Sequence, residues 1–123
     1  MYTGYFAKLK TYEENGLIPV SICGKAPDWY KGNQFKVLAP KWSFFYEWKN
    51  GAHKGDNNYY IQHFKREVLD MLYYDEVINQ LSAFGELDKI ILLCYEKPSD
   101  FCHRHLVAEW LSDCGTDCKE FTV

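Results

Sequence analysis

Apolar and polar residues change period several times along this chain, and each change marks an element. In "KIILLCYE", residues 89–96, the apolar residues run unbroken, which predicts a strand covered on both faces, as in a parallel sheet flanked by helices. Two shorter β-rich runs, "MYTGYF" at the start and "LIPVSIC" at 17–23, predict further strands, and "DCKEFTV" predicts a last one. Pro19 has no amide donor, which places it at a sheet edge or at a gap in the pairing.

Helical spacing fills the intervals. "AKLKTYEENG" is a polar, helix-permissive link that stops at Gly16. "KVLAPKWSFFYEWKNG" sets Trp42, Phe45, Tyr46 and Trp48 at the spacing of a short helix, with Pro40 at its first turn and Asn50-Gly51 at its end. An Asx cluster then caps a helix built on Tyr60, Ile61, Phe64, Val68, Leu69 and Leu72. "YDEVINQLSAFGELD" predicts another, built on Val77, Ile78, Leu81 and Phe84 and stopped by Gly85. After the central strand, Ser99 or Asp100 is placed to cap a helix whose inward stripe is Cys102, Leu106, Val107, Trp110 and Leu111, with Gly115 as its stop.

"GKAPDWYKGNQF" follows neither period and predicts a long loop of functional character. The order β-α-β-α-α-α-β-α-β predicts a single three-layer α/β domain over residues 1–123, with a mainly parallel sheet of about four strands flanked by helices.

Composition narrows the function. A net charge of −3 argues against an extended nucleic-acid interface, while leaving room for a local basic pocket. No apolar run approaches the roughly 18 residues that span a bilayer. "MYTGYFAKLK" lacks the pattern of a secretory signal, so the expectation is a cytoplasmic protein with no membrane partner. Five cysteines, an odd number, favour reduced thiols over a disulfide framework. Aromatic residues make up 18% of the chain and serve either as core or as a stacking surface for a ring-shaped ligand.

The chemistry concentrates where the central strand gives way to the following helix, in "CYEKPSDFCHR". Ligands of parallel sheets bind beyond the carboxyl ends of strands, and a helix start there offers unpaired N–H groups and a partial positive charge. Arg104 presents a planar fork that fits an oxyanion. Glu96 and His103 are candidates to move protons, and Cys94 and Cys102 to line the pocket or act as nucleophile. A thiol beside a helix start and an arginine is expected to have a depressed pKa. Lys25, Trp29 and Tyr30 of the long loop are candidates to close over the ligand, with Ser21 at the strand end below them.

Zinc is the rival for these cysteines. There is no C-x-x-C pair, and Cys114 lies ~18 Å along the helix from Cys102, too far for one tetrahedral site. The expectation is therefore no metal.

Leu92, Leu93, Cys94 and Glu96, then Cys102, His103 and Arg104 opening "HLVAEWL", resemble the domain-of-unknown-function 488 family. "YTGYF" looks like that family's first strand. "VSICGKAPDW" stands where many members have an Asp-x-Arg followed by a proline; here Ser21 and Cys23 replace the Asp and Arg, Pro27 is kept, and the chain looks like a compact branch with "LAPKW" after the loop. The resemblance implies an α/β fold and a shared pocket at the Cys-x-Glu/Cys-His-Arg junction, with no settled reaction or cofactor.

Three readings follow. The first is a site for a small anionic ligand, phosphorylated or nucleotide-like, with enzymatic capacity. The second is a non-catalytic interaction module that uses the aromatic surface of "KWSFFYEWK". The third is a thiol–disulfide protein using Cys94 and Cys102.

Overall fold

The structure, a computed structural model, describes residues 1–122; the last residue of the predicted final strand, Val123, lies outside them. The elements run β1 (Tyr2–Tyr5), α1 (Leu9–Glu14), β2 (Ile18–Ser21), β3 (Asn33–Gln34), α2 (Trp42–Lys49), α3 (Asn57–Glu67), α4 (Tyr74–Ser82), β4 (Ile90–Cys94), α5 (His103–Cys114) and β5 (Lys119–Glu120). All strand pairings are parallel, in the spatial order β3-β2-β4-β1-β5. The three-layer α/β expectation holds, with five strands in place of about four. The extra strand lies in the predicted loop, where Asn33 and Gln34 pair with Val20 and Ser21. Two residues without apolar alternation leave no strand signal.

The apolar run of β4 is explained by its central position. Ile90 and Leu92 enter one core with Val20 and Ile22, closed by Phe44 of α2, Tyr60 and Phe64 of α3, Val77 and Leu81 of α4, and Val107 and Leu111 of α5. Ile91 and Leu93 enter a second, smaller core with Phe6, Tyr12 and Tyr30. One face of the sheet therefore carries a thick helical layer, and the other only α1 and part of the long loop. Side chains alternate across a strand, so a strand buried on both faces must be apolar throughout. Gly4 fits the thin side: a Cβ there would lie 2.6 Å from the Tyr12 ring, whose hydroxyl accepts from the Tyr5 N–H at 3.2 Å.

Pro19 sits inside the sheet, opposite Ile91, and not at an edge. It occupies a gap: β3 pairing begins only at Val20, and the Pro19 carbonyl accepts instead from the Asn33 side chain at 3.3 Å. Two helix starts differ from expectation. Pro40 precedes α2 by two residues, with Lys41 as N-cap. Neither Ser99 nor Asp100 caps α5; Cys102 holds the N-cap position with extended backbone and gives no side-chain hydrogen bond. The polar loop runs on past the two capping candidates, because Cys102 and His103 must reach inward to the strand ends. Asp56 does cap α3 as the Asx cluster predicts, accepting from Tyr59 N–H at 3.1 Å. No helix among the described residues is long and apolar enough to cross a membrane.

Candidate functional site

The carboxyl ends of β2 and β4 lie side by side, since Ser21 pairs with Leu93 and the Ile22 N–H donates to the Leu93 carbonyl at 3.1 Å. The next residue on each strand is a cysteine. Cys23 Sγ and Cys94 Sγ are 3.6 Å apart, so two thiols remote in sequence meet at the top of the sheet. The start of α5 descends onto them. His103 Nδ1 lies 3.5 Å from Cys94 Sγ, and the two sulfurs of Cys94 and Cys102 and this nitrogen all lie within 4.8 Å of one another. All three residues are buried, at 3–5% exposure.

His103 is fixed from behind. Its Nε2 lies 2.8 Å from the Ile22 carbonyl, which can only accept, so Nε2 carries the proton. In the neutral ring Nδ1 is then an unprotonated lone pair aimed at the sulfurs. Ser21, buried beneath, takes no part in the surface of the site; its hydroxyl accepts from the Cys23 N–H at 3.3 Å and shapes the turn that presents Cys23.

Above this floor opens a cleft of about 680 Å³. Trp42, Phe45 and Trp48 of α2, Tyr60 of α3, and Phe101 before α5 form its aromatic wall. Trp48, Tyr60 and Phe101 touch pairwise at ring separations of 5.0–5.6 Å. Lys25 and Lys49 stand on the walls as cations, and Glu96 as an anion. The Glu96 carboxylate also accepts from Cys94 Sγ at 3.6 Å, so it reaches the floor.

The pKa shifts of Cys94 and Cys102 run opposite to the depression expected beside a helix start and an arginine. Cys102 has its pKa raised, chiefly by burial. For Cys94 the hydrogen bond with Cys102 pulls the pKa down, but the Cys23 contact and burial push it up and prevail. A helix start favours thiolate only where the charge keeps some solvation, and desolvation outweighs it here.

Arg104 is the largest correction. Its side chain is fully buried and faces away from the cleft. Nε and Nη2 donate to the two Glu120 oxygens at 3.1 Å each, and Nη1 donates to the Glu96 carbonyl at 2.7 Å. Thr3 donates to the same Glu120 at 2.7 Å, and the guanidinium lies 5.8 Å from the Tyr5 ring centre. Burial alone would lower the Arg104 pKa, and the paired Glu120 carboxylate raises it above the ordinary value. The fork expected to clamp a ligand fastens α5 to β5 and to the loop after β4.

The long loop divides as well. Lys25 lines the cleft, whereas Trp29 and Tyr30 pack edge-to-face with Phe6 at 6.2 and 5.2 Å, outside the cleft lining. Tyr30 is buried, with its hydroxyl on the Asn33 carbonyl at 2.8 Å, and no lid is formed by this pair. Of the predicted site residues, Cys94, Glu96, Cys102, His103 and Lys25 come together; Arg104, Ser21, Trp29 and Tyr30 do not. The junction of Trp48, Lys49 and Tyr60 with the motif, and the floor role of Cys23, escape sequence reasoning, because these residues sit on separate elements and share no spacing with the motif.

This is a small parallel α/β protein with a sulfur- and imidazole-floored cleft at its strand ends. The chain belongs to the DUF488-N3a family, the active DUF488-N3 subclade, whose model matches residues 7–115. Comparison with curated proteins finds no match, and comparison with solved structures finds none either.

Proposed function

We propose that the cleft binds a small ligand with a planar ring and a negatively charged group, phosphorylated or nucleotide-like, and that Glu96 serves it as a proton-transfer group. The observation that carries this reading is the meeting of an aromatic wall with Lys25 and Lys49 in one cleft. A base-like ring stacked on such a wall gains roughly 1–3 kcal/mol. The lysines and the uncapped start of α5, where Cys102 supplies no side-chain acceptor, favour the anion. Arg104 has no part in this reading, and the lysines take the role assigned to it from the motif. Glu96 is exposed to the cleft, where a carboxylate acting on a bound ligand needs to be. A reducing, cytoplasmic setting fits buried thiols.

The test is thermal unfolding with a panel of nucleotides and sugar phosphates. A ligand at 100 times its dissociation constant adds about 2.7 kcal/mol of stability. Stabilisation that falls in Lys49→Gln and Trp48→Ala supports the cleft; stabilisation indifferent to both variants refutes it. A second reading draws on Trp42 and Tyr46, which are 69% and 44% exposed on α2 and supply anchors for a protein partner. It predicts that the panel gives no shift at all.

A further inference from the structure

The floor of the cleft asks for something that the ligand reading does not use. Three thiols and an imidazole nitrogen converge there: Cys94 Sγ lies 3.6 Å from Cys23 Sγ and 3.5 Å from His103 Nδ1, with Cys102 Sγ within 4.8 Å of both Cys94 Sγ and His103 Nδ1, contacts that are weak for S–H donors. The single strong hydrogen bond in the group, Nε2–H of His103 to the Ile22 carbonyl, lies on the far side of the ring and aims Nδ1 into the sulfurs. Histidines that ligate metals are held in this way, with the second nitrogen donating to a carbonyl or carboxylate that sets tautomer and orientation.

We propose that Cys94, Cys102 and His103 form a binding site for a thiophilic divalent ion of the zinc class, with its fourth coordination position open to the cleft. The dimensions agree. Ligand distances of ~2.3 Å to sulfur and ~2.0–2.1 Å to nitrogen put the edges of a tetrahedron at about 3.8 Å between sulfurs and about 3.6 Å between sulfur and nitrogen. Cys94 Sγ and His103 Nδ1 are 3.5 Å apart, and no pair in the triad exceeds 4.8 Å. Two sulfurs and one imidazole are a donor set suited to zinc, and three protein ligands leave room for water or a ligand atom.

Cys23 stands outside the mutual 4.8 Å group, with its sulfur 3.6 Å from Cys94 Sγ and 3.8 Å from the Leu93 carbonyl. Glu96 reaches the same sulfur from the cleft side. On binding, the two ligating thiols give their protons to solvent and the ion replaces them, with no change of oxidation state.

The sequence argument against metal rested on the absence of a C-x-x-C pair and on Cys114, which lies exposed at the far end of α5. The triad instead draws on the end of β4 and the start of α5, which only folding brings together. The site stands without the ligand reading, since it needs neither lysine nor aromatic wall.

The test uses the reduced full-length chain, without any organic ligand, titrated with Co2+ as a spectroscopic probe and then with Zn2+ in competition. One equivalent of Co2+ is expected to give the visible bands of a tetrahedral thiolate site, which Zn2+ bleaches. Cys94→Ser and Cys102→Ser are expected to weaken uptake by more than the roughly 10- to 100-fold that changes to the groups holding a ligand in place cause, while Cys114→Ser leaves it unchanged. Absence of the bands in wild type overturns the proposal, as does uptake that survives both variants or disappears with Cys114→Ser. Should the variants fail to fold, the X-ray absorption spectrum of the zinc-loaded wild type decides. Two sulfurs, one imidazole nitrogen and one lighter atom support the site; a shell of oxygens, or of three or more sulfurs, overturns it.

Discussion

His103 and Arg104 are neighbours in sequence and opposites in the structure. His103 turns toward β2 and β4, where its partners are a carbonyl and weakly bonded thiols beneath an open cleft. Arg104 turns toward β1 and β5, where Glu120 and the Glu96 carbonyl engage all three guanidinium nitrogens. One region has coordinating capacity left over, and the other has none. A buried charge is tolerated only when fully paired, so the saturated residue is the fastener. The unsaturated one is the candidate for chemistry. Reactive residue types in a motif thus indicate where chemistry is concentrated, but satisfaction of their valences decides which of them performs it.

Four substitutions test this contrast. The largest effect belongs to Arg104→Leu, which strands the Glu120 carboxylate and costs about 3–5 kcal/mol in urea unfolding. A loss below about 1 kcal/mol removes the fastener from the account. Glu120→Gln keeps the shape and removes the counter-charge, for an expected loss of about 1–3 kcal/mol. It sharpens the point if Co2+ uptake is unaffected, because the damage is then confined to the β1/β5 side. His103→Gln leaves an amide donor for Ile22 and costs only about 1 kcal/mol, yet abolishes metal uptake. An equal loss of stability for His103→Gln and Arg104→Leu erases the distinction between the two. Lys49→Gln changes stability by no more than about 0.5 kcal/mol, as for an exposed residue, and shows itself only in the weakened response to phosphorylated ligands.

The faces of the sheet differ in a related way. The thick layer of α2 to α5 packs apolar residues at helical period, and these were legible: Tyr60, Phe64, Val77, Leu81, Val107 and Leu111 all lie in the large core. On the thin side Tyr12 and Tyr30 are buried, and neither α1 nor the long loop carries an apolar period that foretells it. Tyr30 shows the consequence. Burial raises its pKa to about 12, as suits a packed and hydrogen-bonded ring more than a mobile closing one.

The layers can be read from the residues alone: an unbroken apolar run for the central strand, helical periods between strands, and a polar junction carrying Cys94, Glu96, Cys102 and His103. These are local properties, written in the burial of successive residues on a known period. It takes the folded chain to set Cys23 beside Cys94, to bring Lys49 and Trp48 into one cleft with Lys25, and to pair Glu120 with Arg104 from 16 residues away. The first and last of these depend on the parallel register that sets β2 and β5 against their neighbours. Register arises from the summed packing of both cores, and no stretch of chain carries that sum alone.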